Sequence, residues 1–370
     1  LSREYFFGRD GLAEFDAFLE KRPNVEMVGV GFNTPQAPMA YRMISMARKR
    51  LPNVQIVLGG PHPTALPEMT LKECPEADVV VLREGEYATR ELAARMPLEQ
   101  IAGIVYRDGE SFRTTDQREL IQNLDELPFP AWHLIDMEYY LKPKGFDDFY
   151  GQTWRMGTIM TTRGCFGRCN FCFAWGMLGA GERAHSQERI VREIEHLIER
   201  YGITTLNIYD DTLFTSKEHG QSVCRTLIDT GLSKRINFNC QLLSAQATPD
   251  TLALLKEAGC YQVGVGFESF ISGTLKNMRK PVSYTRNIQT VRDFKKVGIR
   301  CLGYFMSGYQ GEAADSVIAN QDMQKYTDIE LPTWTNYVPF PGTKDFNQGL
   351  ADGTVGDLDW ITFDMSQNPL

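Results

Sequence analysis

The chain has 370 residues, 42% hydrophobic and 23% charged, enough for two domains of ordinary size, each with its own buried core. Its formal net charge of -8 gives no electrostatic reason to expect nucleic acid as a partner. No apolar run is long enough to cross a bilayer and no signal pattern opens the sequence, so a cytoplasmic protein without a membrane span is expected.

Leu12, Phe15, Phe18 and Leu19 recur on one face of a first helix. Met27-Val28-Gly29-Val30-Gly31 reads as a buried strand, followed by a helix whose Met39, Met43, Met46 and Ala47 share a face. Gln55-Ile56-Val57-Leu58 runs into Gly59-Gly60-Pro61-His62, and Asp78-Val79-Val80-Val81-Leu82 into Arg83-Glu84-Gly85-Glu86. Short apolar strands separated by helices predict a Rossmann-like, doubly wound parallel sheet. Asp108-Gly109 predicts a tight hairpin closing it. Residue 1 is Leu and the chain enters this sheet partway, so the N-terminal part of the domain is expected to be missing.

Leu127-Pro128-Phe129-Pro130 and the Tyr-rich stretch to Trp154 break the alternation and predict a linker. Six further strands are expected at 158–162, 205–209, 237–241, 262–266, 301–306 and 334–338. Ser186 and Thr248-Pro249-Asp250 open two of the intervening helices. The fold class is therefore α/β, a Rossmann-like sheet followed by a partial (β/α)6 TIM-type barrel. In such barrels the chemistry sits at the carboxyl ends of the strands. The expected domains are 1–125, a linker 126–154, a barrel 155–345 and a C-terminal extension 346–370.

Eight cysteines are too few for a disulfide scaffold at this length, and three of them fall within eight residues. Arg163-Gly164-Cys165-Phe166-Gly167-Arg168-Cys169-Asn170-Phe171-Cys172 follows the first barrel strand, so Cys165, Cys169 and Cys172 can converge from one loop on an iron–sulfur cluster. Three ligands for four irons leave one iron open to a chelating substrate. The alternative is a zinc site, for which a fourth ligand at finger spacing is lacking and His185 is the nearest candidate. Cys74, Cys224, Cys240, Cys260 and Cys301 read as core residues.

The Cys-x3-Cys-x2-Cys loop with an aromatic before its third Cys resembles the signature of radical S-adenosylmethionine (SAM) enzymes. The resemblance runs over 155–345 and implies a 4Fe-4S cluster that binds SAM and cleaves it reductively to a 5′-deoxyadenosyl radical. It places Phe171 near the adenine, Asp210 of Asp210-Asp211 near the SAM amine, and Glu268 and Ser269 of Gly266-Phe267-Glu268-Ser269 near the ribose. Gly308 to Glu312 and Pro339-Phe340-Pro341-Gly342-Thr343 are similar to two further family turns. The third strand lacks the Arg common in relatives, leaving Gln241 and Ser244 as polar candidates. Each motif also has a plain structural reading: Asp210-Asp211 can cap a helix, and Glu268 can pair with a barrel Lys.

The first domain resembles the cobalamin-binding domains joined to such barrels, with Asn33, Gly59, Gly60, Glu84, Gly85 and Glu86 in the matching loops. Glycines at strand ends permit the close backbone approach that a large cofactor needs. Asn33 departs from the usual Ser-x-Leu loop, the Asp-x-His-x-x-Gly loop is absent, and His62 reads as a surface loop residue; a sheet that binds nothing is the alternative. The resemblance implies a cobalamin-dependent methyltransferase that uses two SAM molecules per turnover on an unactivated carbon of a small-molecule, natural-product or peptide-derived substrate. An external electron donor such as flavodoxin or ferredoxin is implied. The rival readings are a cobalamin-dependent cyclase or rearrangement enzyme without methyl transfer, a cluster enzyme with a vestigial first domain, and a non-catalytic metal-stabilised binding protein.

Overall fold

The computed structural model describes residues 11–141, 155–327, 329–356 and 358–365. These residues fall into two compact units, one within the ranges Leu1–Leu120, Asn170–Leu178 and Val338–Leu370, the other within Ile121–Cys169 and Gly179–Tyr337. No helix among the described residues is long and apolar enough to cross a membrane.

The first unit is built on a five-stranded sheet in the order β1 (Met27–Gly31), β2 (Gln55–Gly59), β3 (Val79–Val81), β4 (Ile104–Asp108) and β5 (Ser111–Thr114). The first three strands are parallel, and β4 and β5 form the expected antiparallel hairpin through Gly109. Helices pack on both faces of the sheet, though Gly29 and Gly31 of β1 stay exposed. Val28, Val30, Ile56, Leu58 and Val80 pack with the helix Ala37–Arg50, while Val57, Val79 and Val81 pack with Ala88 and Leu92 of the helix Glu86–Ala93.

Two details differ from the sequence expectation. The helix Ala37–Arg50 buries Ala37, Ala40, Ile44 and Ala47, and its methionines lie at the margins of that face. Small residues let a helix approach a sheet closely, and long methionines then fill the gaps beside the contact. Phe18 is 50% exposed, its ring covered by the Arg22 guanidinium at 3.7 Å, while Leu12 and Leu19 alone of that face are buried. The C-terminal segment also contributes to this core, through Val338, Phe346, Trp360 and Phe363, and Trp360 Nε1 donates to Glu73 at 2.7 Å.

In the second unit β6 (Met156–Ile159) is followed by a two-stranded ribbon, β7 (Thr162–Arg163) with β8 (Arg183–Ala184). The parallel sheet continues in chain order through β9 (Thr205–Ile208), β10 (Asn237–Leu242), β11 (Cys260–Glu268), β12 (Arg300–Ser307) and β13 (Leu331–Asn336). Six parallel strands in sequential order, each of the first five followed by helix, make the partial barrel. Ser186, Ser216, Thr248 and Ser283 each accept the backbone N–H three residues on, which starts four of these helices, and Gly202 and Gly298 end two of them. The sixth strand begins earlier than expected, at Leu331; its Pro332 is tolerated because β13 is an edge strand. Of the linker, the short helix Met137–Leu141 buries Met137 and Leu141 in the barrel core, and 142–154 lies outside the described residues.

Strand alternation positions the site. Leu206, Ile208, Phe238, Cys240, Leu242, Val263, Val265, Cys301 and Phe305 are buried under the helices. Residues of opposite parity, Thr158, Asn207, Gln241 and Tyr304, are only partly buried or exposed, on the concave face.

Gly60 carries a testable constraint. Its φ is +91°, and an added Cβ would lie 2.9 Å from Phe32 N and 3.0 Å from Phe32 O. Gly60→Ala is expected to cost about 2–3 kcal/mol in urea unfolding of the cofactor-free protein, combining left-handed strain with the clash.

Candidate active site

The cysteine loop leaves β6 through a ribbon. Gly164 has φ +102°, and a side chain there would strike the carbonyl of Gly181; Cys165 bridges Ala180 on the returning strand. A point one Cβ from Gly167 lies 3.3 Å from Cys165 Sγ and 3.8 Å from Cys169 Sγ, so the two sulfurs flank this glycine. Gly167 N donates to Cys165 Sγ at 3.3 Å and Ala174 N to Cys172 Sγ at 3.4 Å. Backbone N–H donors aimed at cysteine sulfur stabilise thiolates, as cluster ligation requires. His185 is occupied otherwise, its Nδ1 3.0 Å from Asp125 Oδ1. Burial pushes the Cys165 thiol up, partly offset by the Gly167 N–H; the Asp211 charge adds to the rise and that of Lys280 opposes it.

The segment after the loop is wedged by an aromatic ring. The Phe173 ring occupies the space that a side chain at Gly342 or Gly176 would need, and Asp345 N donates to Asn170 O at 3.2 Å. Gly342 belongs to the Pro339-to-Thr343 turn, and Thr343 caps the helix Lys344–Asp352. Phe171, the predicted adenine neighbour, is partly buried.

At the barrel rim the predicted residues divide into two groups. Asp210 is 2% exposed, and its carboxylate accepts Thr161 N at 2.6 Å, Thr162 N at 3.1 Å and the Thr161 hydroxyl. Burial raises its pKa to about 6 against the pull of those donors. Ser244 is buried and donates to Asn287 Oδ1 at 2.6 Å; Ser269 is buried against Asn320 and accepts Ile271 N. All three spend their polar atoms on the protein. Asp211, by contrast, is exposed.

Gln241 and Glu268 lie toward the concave face. Gln241 spans the gap left by Gly264, where a side chain would strike its Oε1, and donates to the Tyr304 hydroxyl at 3.3 Å. Glu268 sits at a bulge ending β11 with φ +59°, which is costly for a residue with a side chain. Its Oε1 accepts Lys280 Nζ at 2.7 Å, and an added Cβ on Gly266 would lie 2.5 Å from that oxygen and 2.9 Å from Nζ. A barrel Lys is the partner expected from sequence, and Lys280 is that residue. Twelve residues and a short helix separate the two, and no strand-end motif marks the Lys.

In the first unit, Asn33 is exposed, and its backbone N–H donates to Gln36 Oε1 at 3.0 Å. Glu84 is buried, Gly85 precedes the helix opened by Glu86, and Arg83 before them has φ +60°. His62 is fully buried, not on the surface: it lies 4.8 Å, ring to ring, from Trp360 and beside Phe32, with Nδ1 3.2 Å from Thr34 Oγ1. Burial lowers its pKa to about 4, which keeps it neutral. Gly29 has nothing within 4 Å of where a Cβ would stand, and Gly31 and Gly59 meet only a carbonyl at 3.9 and 3.7 Å. This side-chain-free strip along β1 and the end of β2 suits a flat cofactor.

Comparison with known proteins identifies the family. Residues 159–319 match the radical SAM superfamily and residues 9–93 the B12 binding domain. The chain is 32% identical, over 95% of its length and 76% of the relative's, to an uncharacterized methyltransferase of Pyrococcus horikoshii. It belongs to the cobalamin-dependent radical SAM enzymes. It is also 25% identical to the cytidylyl-2-hydroxyethylphosphonate methyltransferase of Streptomyces wedmorensis, over 94% of this chain and 71% of that one. The fold matches the radical SAM methyltransferase TsrM from Kitasatospora setae, solved with tryptophan and a SAM analog, at TM-score 0.79 and 17% identity, covering 95% of this chain and 70% of TsrM. The protein is thus an enzyme whose cofactors are a 4Fe-4S cluster, SAM and cobalamin.

The Lys280–Glu268 pair is buried, with side chains 6% and 12% exposed. Lys280→Met strands the carboxylate and is expected to cost about 3 kcal/mol in urea unfolding. Lys280→Met with Glu268→Gln should recover most of that loss.

Proposed function

We propose that the enzyme methylates an unactivated carbon of a small-molecule or peptide-derived substrate. The observation that carries this reading is the presence in one chain of the three-cysteine loop after β6 and the bare glycine strip of the first sheet. When bound, the cluster and SAM supply a radical able to take hydrogen from carbon, and cobalamin supplies the methyl group. In this reading Cys165, Cys169 and Cys172 hold the cluster. Phe171, Gln241, Glu268, Asp211 and Lys280 bind SAM, the carboxylates serving its amine or hydroxyls and Lys280 its carboxylate. Asn33, Gly59, Gly60, Glu84, Gly85 and Glu86 line the cobalamin face. The concave-face residues Thr158, Asn207, Gln241 and Tyr304 are uncharged hydrogen-bonding groups, which favours a polar substrate portion over a hydrocarbon one.

Two relatives described as methyltransferases support methyl transfer over cyclisation or rearrangement. The net charge of -8 supports a partner other than nucleic acid, and the cysteine loop supports a cytoplasmic setting with a flavodoxin or ferredoxin as electron donor.

Two measurements test the reading. Cys165→Ala, Cys169→Ala or Cys172→Ala should each abolish anaerobic iron–sulfur loading and SAM cleavage, whereas Cys224→Ala and Cys301→Ala should keep about four irons per chain. Turnover with methyl-deuterated SAM should place a labelled methyl on the product, with 5′-deoxyadenosine and S-adenosylhomocysteine formed together. Product altered without an added methyl would replace the methyltransferase with the cyclase or rearrangement enzyme.

A further inference from the structure

The buried groups beneath the cysteine loop form one connected network. Asp210 closes on Thr161 and Thr162 at the end of β6, three residues before Cys165. Because the Thr161 hydroxyl donates to Asp210, its oxygen is left to accept, and His219 Nε2 stands 2.9 Å away. That fixes His219 as the tautomer carrying hydrogen on Nε2. Thr161 is fully buried and His219 is 7% exposed. His219 also connects to the returning arm of the loop. Its backbone N donates to Ser216 Oγ at 3.1 Å, and Ser216 donates from N and Oγ to the two carboxylate oxygens of Glu182, at 2.6 and 2.9 Å. Glu182 immediately precedes β8. The outgoing strand is therefore held by Asp210, the returning strand by Glu182, and His219 joins the two.

We propose that Asp210, Thr161 and His219, with Glu182 and Ser216, are positioning residues that clamp the root of the cluster-binding loop, and that Asp210 is not a ligand of SAM. The proposal rests on the assignment of the cluster to Cys165, Cys169 and Cys172. A loop that must bring three thiolates to one cluster pays conformational entropy unless its ends are fixed. The carboxylate achieves this from beneath, with three donors taking three of its four lone-pair positions and burial excluding water. An approaching ammonium would have to enter a site only 2% exposed and compete with two backbone N–H groups and a hydroxyl, and any of these that it displaced would be left buried and unpaired.

The test compares Thr161→Val, Thr161→Ser and Asp210→Asn in the cluster-loaded enzyme. Val keeps the shape of Thr and loses the hydroxyl; Ser keeps the hydroxyl; Asn replaces one accepting oxygen with a donor. Outer-shell groups of metal sites typically affect affinity 10- to 100-fold. Loss of iron to a chelator should thus be at least about tenfold faster in Thr161→Val and Asp210→Asn, and within about twofold of wild type in Thr161→Ser. The cluster that remains in the first two should show an altered EPR spectrum with SAM bound, and Thr161→Ser the wild-type one. SAM affinity per loaded cluster should be unchanged in Asp210→Asn. If Asp210→Asn kept its iron and lost SAM affinity, Asp210 would be a SAM ligand and the proposal would fall. Equal iron retention in Thr161→Val and wild type would likewise overturn it. A wild-type protein that loads no cluster would instead defeat the cluster assignment itself.

Discussion

The carboxylate of Asp210 is the constraint on which the catalytic loop depends. A charge at 2% exposure is costly, by several kcal/mol if left unpaired, and it persists here because three donors converge on it. Those donors all come from Thr161 and Thr162, so the charge is satisfied only when the chain leaves β6 along one path. That path leads into Gly164, whose left-handed backbone and lack of a side chain let the ribbon close against Gly181. The start of the cysteine loop thus coincides with an electrostatic requirement met at Thr161 and Thr162.

The concave face of the barrel is organised by missing atoms. Gly264 and Gly266 stand on one strand at alternate positions, and over each lies a polar side chain from elsewhere: Gln241 over the first, Glu268 with Lys280 over the second. A methyl group at either position would displace them. The usual TIM-type interior is filled with branched apolar side chains. Here Gln241 hydrogen-bonds to Tyr304 and Glu268 to Lys280, so polar contacts stand where a closed barrel has apolar core.

The first unit shows the same economy. Gly60 is needed for the approach of its turn to Phe32, while Gly29, Gly31 and Gly59 meet no side chain and so leave a surface. Beneath it, His62 is held neutral among Phe32, Tyr41 and Trp360, the last contributed by the C-terminal segment. A histidine after a Gly-Gly turn invites a ligand assignment; its burial shows instead that it packs the core from which the bare strip rises.

The sequence by itself determined what is local and periodic: the strands β1 to β5, the six barrel strands in order, the helix caps at Ser186 and Thr248, and the three cysteines. These follow from alternation, side-chain capping and spacing, which act over a few residues. Tertiary structure decided which polar groups remain available. Asp210, Ser244, Ser269 and Glu268 look in sequence like Asp211 and Gln241, acids and hydrogen-bonding side chains near strand ends, yet the first three are closed off by Thr161, Asn287 and Asn320, and Glu268 is buried against Lys280. Lys280 was legible only as an unnamed partner for Glu268, because a bulge at the end of β11 turns that carboxylate toward a residue across a helix. Pairing between residues far apart in the chain is set by packing, and packing leaves no periodic mark in the sequence.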